Sequence, residues 1–284
     1  MTGENVFETI SSQYFQLTNS EKKVADYVLN HRADVQYRSI SELAEECNVA
    51  DATISRFCRR LGMGGYNAFK LELAKASMTS RGTAVTERDA GKEDDHNGLC
   101  RRILDENTAV LEQTAQLLDA GQVRRALELI QNADRVICMG QGGSMVMAEE
   151  AWTMFSTISS KFTFVPDSHL QINTVALMNP KDVVLFFSYS GSTRDFQDIL
   201  EVAKLRGVKV ILVSRFPRSP GGQMADVVLQ CGANESPLHA ASAAARIAQL
   251  FVLEVLFQKL VESDLPRADA CREAIAEAVS RKHI

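Results

Sequence analysis

The chain opens with short apolar periods of helical spacing. Val6, Phe7, Ile10 and Tyr14 mark one face of a first helix, and Val24, Tyr27 and Val28 mark a second after the capping-box run Thr18-Asn19-Ser20-Glu21. A second cap pattern, Ser39-Ile40-Ser41-Glu42, predicts a short third helix with Leu43, Ala44 and Cys47 inward. Asn48-Val49-Ala50 then reads as a three-residue turn, and residues 51–60 as a fourth helix with Ile54, Phe57, Cys58 and the following Leu61 inward. Gly62, Gly64 and Gly65 end it, and residues 66–76 can form a fifth.

From residue 77 to 98 small, polar and charged residues take over, so residues 78–98 are expected to be a linker, mobile or only partly helical. Two further helical patterns follow, one from Leu99 through Leu118 and one over 123–130. Strand and helix then alternate. Strands are predicted at 135–139, 162–165, 183–187, 208–213 and 227–229, with helices at about 144–158, 168–178, 194–205 and 238–260, and a polar helix at 267–279. The run Val183-Val184-Leu185-Phe186-Phe187 is too short for a helix and too evenly apolar for an edge, which makes it a central strand of a buried parallel sheet. The fold class is therefore an all-α N-terminal helix-turn-helix domain, residues 1–77, followed by an α/β domain, residues 99–284, with a doubly wound, mostly parallel five-stranded sheet.

The helix pair 41–60 has the geometry that sets a recognition helix into the major groove of duplex DNA. With Ile54, Phe57 and Cys58 inward, the other face is expected to present Ala52, Thr53, Ser55, Arg56, Arg59 and Arg60. Thr53 and Arg56, near the helix start, are assigned to base readout; Ser55, Arg59 and Arg60 are assigned to phosphates, with Lys22, Lys23, Arg38 and Lys70 extending the footprint.

In the second domain the central strand runs into Ser188-Tyr189-Ser190-Gly191-Ser192-Thr193, where hydroxyl donors, a flexible glycine and a helix N-terminus suit a small anion without needing a lysine. Ser144, after the strand at 135–139, reaches the same carboxyl edge of the sheet. Gly140-Gln141-Gly142-Gly143 does not complete a dinucleotide fingerprint, because Met145 stands where the third glycine belongs. Glu235 follows the last strand, where a carboxylate can bond sugar hydroxyls or act as a base; His169 and His239 are weaker candidates of the same edge. The histidines show no metal spacing, so neither metal nor cofactor is expected. The pattern of the long helix near the C-terminus fits core alone or core plus a subunit interface.

Composition changes little. At 284 residues, 45% hydrophobic, 24% charged and a formal charge of -5, the chain is an ordinary soluble protein by average, and six scattered cysteines fit buried thiols in a reducing cytosol. No basic-then-apolar leader is seen, and the most apolar long stretch, 240–256, carries Arg246, Gln249 and Glu254, so no membrane span is expected.

The motifs together resemble the RpiR family of bacterial transcriptional regulators. Ser55-Arg56-Phe57-Cys58-Arg59-Arg60-Leu61-Gly62 with Gly65-Tyr66-Asn67-Ala68-Phe69-Lys70 resembles its helix-turn-helix. Gly140-x-Gly142-x-Ser144, Ser168-His169-x-Gln171, Ser188-x-Ser190-Gly191-x-Thr193, Glu235 and Arg246-Ile247-Ala248-Gln249-Leu250 resemble its sugar isomerase (SIS) phosphosugar-binding domain. The resemblance implies a cytoplasmic regulator of carbohydrate genes, more commonly a repressor, dimeric or tetrameric, that binds operator DNA and a phosphosugar effector. It implies ligand contacts from Ser144, Ser188, Ser190, Ser192 and Thr193, and puts Glu235 at the position that is catalytic in related isomerases, which leaves an aldose-ketose isomerase as the alternative. Gly64 stands where a lysine is common, and Asp195 replaces the usual glutamate. Arg215-Phe216-Pro217-Arg218 replaces a threonine or acid-bearing turn, and Arg215 would suit an additional acidic group on the ligand.

Overall fold

The computed structural model describes residues 5–85, 96–232 and 243–280. They fall into two units, one built on residues up to Leu104 and the other from Asp105 onward.

The first unit holds α1 (Val6–Gln13), α2 (Asn19–Asn30), α3 (Ile40–Glu46), α4 (Asp51–Arg60) and α5 (Tyr66–Val85). Both expected capping boxes form: Thr18 and Glu21 cap α2, and Ser39 and Glu42 cap α3. A third, Asn5 with Glu8, opens α1. The inward positions meet in one core in which Ile10, Val24, Val28, Leu43, Ile54, Phe57, Phe69 and Leu73 are fully buried, and the rings of Phe57 and Phe69 pack edge to face at 5.7 Å. Burial pushes the thiols of Cys47 and Cys58 in this core up to about 11 and about 12. The fifth helix, expected over 66–76, runs on to Val85, since no proline interrupts it and the lone Gly82 costs only about 1 kcal/mol, and residues 86–95 of the expected linker lie outside the described residues.

α6 (His96–Leu117) begins in the first unit and continues into the second, where it and α7 (Ala120–Asn132) lead to an alternating series: β1 (Val136–Gly140), α8 (Gly143–Phe155), β2 (Phe162–Phe164), α9 (Ser168–Ala176), β3 (Val183–Phe187), α10 (Arg194–Arg206), β4 (Lys209–Ser214), α11 (Pro220–Met224) and β5 (Val227–Gln230). α12 (Ala243–Ser263) and α13 (Leu265–Ser280) close it. The five strands pair only in parallel, in the order β2-β1-β3-β4-β5. Strand residues alternate between two cores. Leu185 and Phe187 join residues of α7, α8 and α12 on one face; Val184 and Phe186 join α9 and α10 on the other, where Phe186 stacks on Phe196 at 4.1 Å. All five residues of β3 are buried, as its unbroken apolar run demands. The short helix α11 has no counterpart in the expected elements; Ser219 caps it and Pro220 fills its first turn, a signal that its five residues make too short to show as periodicity. Among the described residues no helix is long and apolar enough to cross a membrane.

At the amino edge of the sheet Arg135 grips Asp182 with two hydrogen bonds, of 3.1 and 2.6 Å, just before β1 and β3. Asp182 is wholly buried and also accepts the Asn179 N–H at 3.0 Å. Burial alone would raise its pKa; the Arg135 guanidinium and the Asn179 N–H outweigh it and hold the carboxyl below its ordinary value. A depressed folded value stabilises fully above the unfolded carboxylate pKa of about 4, and that stabilisation is lost as pH falls through the folded value. Asp182→Asn is therefore expected to cost about 1–3 kcal/mol near neutral pH and to flatten the acid-side loss of stability in thermal melts taken from pH 7 to pH 3.

Candidate functional site

The strand order reverses between β1 and β3, since β2 lies beyond β1 on one side and β4 beyond β3 on the other. In an open parallel sheet the loops at the carboxyl ends of two such strands diverge and leave a crevice. Ser144 follows β1 and Ser188 to Thr193 follow β3, so the two hydroxyl-bearing segments singled out in the sequence flank that point.

Hydrogen bonds shape the second loop. Ser188 is nearly buried; its N–H donates to Val213 and its hydroxyl oxygen accepts the Gly191 N–H, both at 3.1 Å. Ser190 Oγ accepts from Ser192 N–H at 3.3 Å, while Ser192 Oγ donates to the Ser190 carbonyl at 3.0 Å. The carbonyls of Tyr189 and Gly191 are drawn toward the neighbouring β4–α11 loop: Ser214 Oγ and the Arg215 N–H donate to Tyr189, and the Gly221 N–H donates to Gly191 at 2.9 Å. With acceptors withdrawn to that side, the exposed rim of the loop is carried by Ser192 and Thr193. Arg215 is tied to this loop through its backbone, and its guanidinium lies 5.6 Å from the Phe216 ring, which meets Tyr189 edge to face. Glu235 and His239 lie outside the described residues. His169 is exposed in the first turn of α9.

Helix capping separates this edge from the rest of the unit. Asp119, Asp167 and Ser219 cap α7, α9 and α11 with their side chains. The N-caps of α8 and α10 are Gly142 and Thr193, and neither makes a side-chain cap bond. Among the helices of this unit whose N-caps are described, the two without a side-chain cap are those that follow β1 and β3, so the positive ends of two helix dipoles lie at the crevice, an arrangement that suits an anion.

Two buried amides add to the polarity there. Gln171 is wholly buried and donates to the carbonyls of Gly140 and Val165, at 3.0 and 2.8 Å, leaving its own carbonyl oxygen without a partner among the described residues; Gln141 likewise holds a buried, unpartnered nitrogen. Gln171 is visible in the sequence only as part of Ser168-His169-x-Gln171, and Gln141 only as a glutamine between glycines in a strand-to-helix loop. Gly140 itself must lack a side chain, since a Cβ there would lie 2.6 Å from the Ser144 carbonyl oxygen.

In the first unit, α3 and α4 are joined by a Schellman-type stop. Asn48 adopts φ 50, its N–H donates to Glu45, and Val49 N–H donates to Ala44. Gly62, at φ 81, ends α4 in the same way, with Met63 N–H on Cys58. Ser41 Oγ donates to Asp51 at 2.8 Å, and the Tyr66 hydroxyl donates to the Arg38 carbonyl at 2.9 Å, which fixes the α3–α4 pair to α5.

The outer face of α4 carries Arg56 and Arg59, both exposed, and the half-buried Ser55. Thr53, expected there for base readout, is instead 7% exposed and accepts a hydrogen bond from Arg56 at 3.2 Å, because the inward stripe of this helix is wide enough to include the residue before Ile54. Arg60 is exposed but engaged: it donates to Glu21 and to the Gln16 carbonyl, each at 3.1 Å. Glu21 is the buried capping-box acid of α2. Burial would raise its pKa, but the Thr18 N–H and hydroxyl and the Arg60 charge together hold it below the ordinary value. Arg60 thus anchors the end of α4 to the start of α2. Lys70 is half-buried with its ammonium 6.0 Å from the Tyr66 ring.

Comparison with known proteins agrees on both units. The helix-turn-helix domain of the rpiR family matches residues 4–80, and the SIS domain matches residues 129–259. An HTH-type transcriptional regulator of Haemophilus influenzae is 32% identical over 92% of this chain and 91% of its own. The HTH-type transcriptional regulator HexR of Escherichia coli is 28% identical over 89% of this chain and 86% of its own. Among solved structures, the Vibrio vulnificus NanR protein complexed with ManNAc-6P superposes with a TM-score of 0.84 at 25% identity, covering 98% of both chains.

Gly191→Ala is expected to deform the β3–α10 loop, because the residue sits at φ 60 and a Cβ would lie 2.1 Å from Ser219 Oγ. The left-handed conformation alone costs about 1–2 kcal/mol, which a thermal or urea unfolding comparison with the exposed-site variant Ser192→Ala would read. Asn48→Val, at the α3–α4 stop, is expected to cost a similar amount, and Asn48→Gly to be tolerated, in the same measurement.

Proposed function

Because this chain belongs to the rpiR family of helix-turn-helix transcriptional regulators and carries an SIS domain, we propose that it captures a phosphorylated sugar at the β1/β3 crevice and thereby changes its hold on operator DNA. The observation that carries the ligand half of the proposal is the pair of uncapped helix N-termini, α8 and α10, beside Ser144, Ser190, Ser192 and Thr193. Their N–H and O–H donors match a phosphoryl group, and Ser188 and Gly191 shape the loop that presents them. Arg215 stands beside that loop and suits a second acidic group on the sugar. NanR, complexed with ManNAc-6P, supports the same ligand class here. Glu235 is assigned to the sugar hydroxyls, and no turnover is assigned to the site.

For the DNA half, Arg56, midway along α4, reads base edges and Ser55, Arg59 and Lys70 hold phosphates, while Arg60 sets the angle of the helix through Glu21. Thr53 acts through Arg56, which it accepts a bond from, and not on DNA directly. The chain works in the cytoplasm as a homodimer or homotetramer, so that two heads meet half-sites about 34–36 Å apart, and repression is the sense we favour. Effector binding alters DNA affinity by favouring one of two arrangements of the heads, and the coupling is reciprocal.

The test is a fluorescence-anisotropy titration of operator and scrambled duplexes with and without sugar phosphates. Arg56→Ala is expected to lower operator affinity about tenfold or more while the oligomer persists, as the loss of one base contact of about 1–3 kcal/mol implies. Thr193→Val is expected to leave operator affinity unchanged in the absence of sugar phosphate and to shift the effector response about tenfold toward higher concentration. Equal affinity for both duplexes under every condition would refute the reading.

A further inference from the structure

The edge of the sheet opposite the β1/β3 crevice holds a second cavity, of about 290 Å³, between the end of α7, the start of β2 and the α12–α13 junction. Its floor is apolar, made by Ile130, Ile158, Phe162 and Leu260, and its polar wall carries Lys161 and Arg267. We propose that this cavity is a second binding site of the chain, for a small phosphate- or carboxylate-bearing molecule whose anionic group lies between Lys161 and Arg267.

Charge and hydrogen bonding support an anion there. Lys161 donates to the carbonyls of Ile130 and Gln131, the open C-terminal end of α7, so the negative end of that helix is already neutralised and one ammonium proton remains for a ligand. Arg267 is exposed, and among the described residues no carboxylate forms an ion pair with it or with Lys161. One carboxylate, Asp264, lines the cavity, and its oxygen accepts the backbone N–H of Arg267 at the first turn of α13. Burial and the neighbouring Arg267 charge both depress the Lys161 pKa, so the two cations repel each other across the cavity, a strain that a bound anion relieves. The apolar floor adds a surface for the body of an organic acid or phosphate ester.

Binding would also fasten α13. This helix of sixteen residues buries only Ala268, and the Cys271 thiol donates to the Ile158 carbonyl, on the cavity wall, at 3.3 Å. A ligand bonded to Lys161 beside β2 and to Arg267 on α13 clamps the helix to the sheet. The site is separate from the crevice, and Arg267 lies beyond the segment that matches the SIS domain. The proposal stands whether or not the crevice takes a sugar phosphate.

Cys271 offers a local readout, with the exposed Cys100 as internal reference. The full chain would be alkylated with N-ethylmaleimide in inorganic phosphate, in citrate, or in sodium chloride of equal ionic strength, and each cysteine followed by peptide mass spectrometry. Phosphate or citrate at ten times its dissociation constant is expected to slow Cys271 about tenfold relative to Cys100, by linkage to helix opening. Protection by phosphate identifies a phosphoryl ligand, and protection by citrate alone a carboxylate. Arg267→Gln, a change at an exposed position, should abolish the protection, and Lys161→Met should do the same if it folds. The proposal is overturned if neither anion slows Cys271 beyond chloride, or if Arg267→Gln is protected as well as the native chain; anion capture at the crevice alone would give the second result.

Discussion

Parallel strands cannot be joined by tight turns; each must return across the sheet through a helix, and every loop that leaves a strand at its carboxyl end therefore falls on one edge. That constraint organises the second unit. Because β2 and β3 lie on opposite sides of β1, the loops after β1 and β3 part from each other, and the helices that follow them begin at the gap. The chain leaves these two helix starts without side-chain caps while capping α7, α9 and α11 with Asp119, Asp167 and Ser219. Helix starts without a side-chain cap thus stand where the topology opens a crevice, although the Ser144 and Met145 N–H groups of α8 are turned back onto the carbonyls of Gln141 and Gly142.

The donors would serve poorly if the loop that carries them were free to rearrange. The β4–α11 loop holds it in place: Ser214 and Gly221 take the carbonyls of Tyr189 and Gly191, and Gly191 fits against Ser219 with no room for a methyl group. At the other edge of the sheet, Arg135 and Asp182 fasten the starts of β1 and β3, the two strands whose far ends form the crevice. In the first unit the same economy appears in Glu21, which caps α2 and anchors Arg60 with one buried carboxylate.

Much of this was legible in the residues. The capping boxes at Thr18 and Ser39, the stop at Asn48, the bounds of the helix 51–60 and the strand 183–187 all follow from local signals that tertiary packing did not override. What escaped was nonlocal. Thr53 is buried by the width of a packed face, which spacing alone does not set, and Arg60 is engaged by a carboxylate thirty-nine residues away. The pairing of the β3–α10 loop with Ser219 and Gly221 likewise depends on which strands become neighbours. Gln171 could be seen as part of a motif, yet its work, bonding the ends of β1 and β2 through Gly140 and Val165, exists only in three dimensions.

The cysteines of the first unit carry a consequence of a different kind. Cys47 and Cys58 pack in the core beneath α3 and α4, and burial holds their thiols at about 11 and about 12, so almost no thiolate exists there at neutral pH. Peroxide attacks the thiolate, and the step to sulfenic acid begins from it. The face that α4 presents is thereby insulated from oxidants by the same apolar packing that supports it.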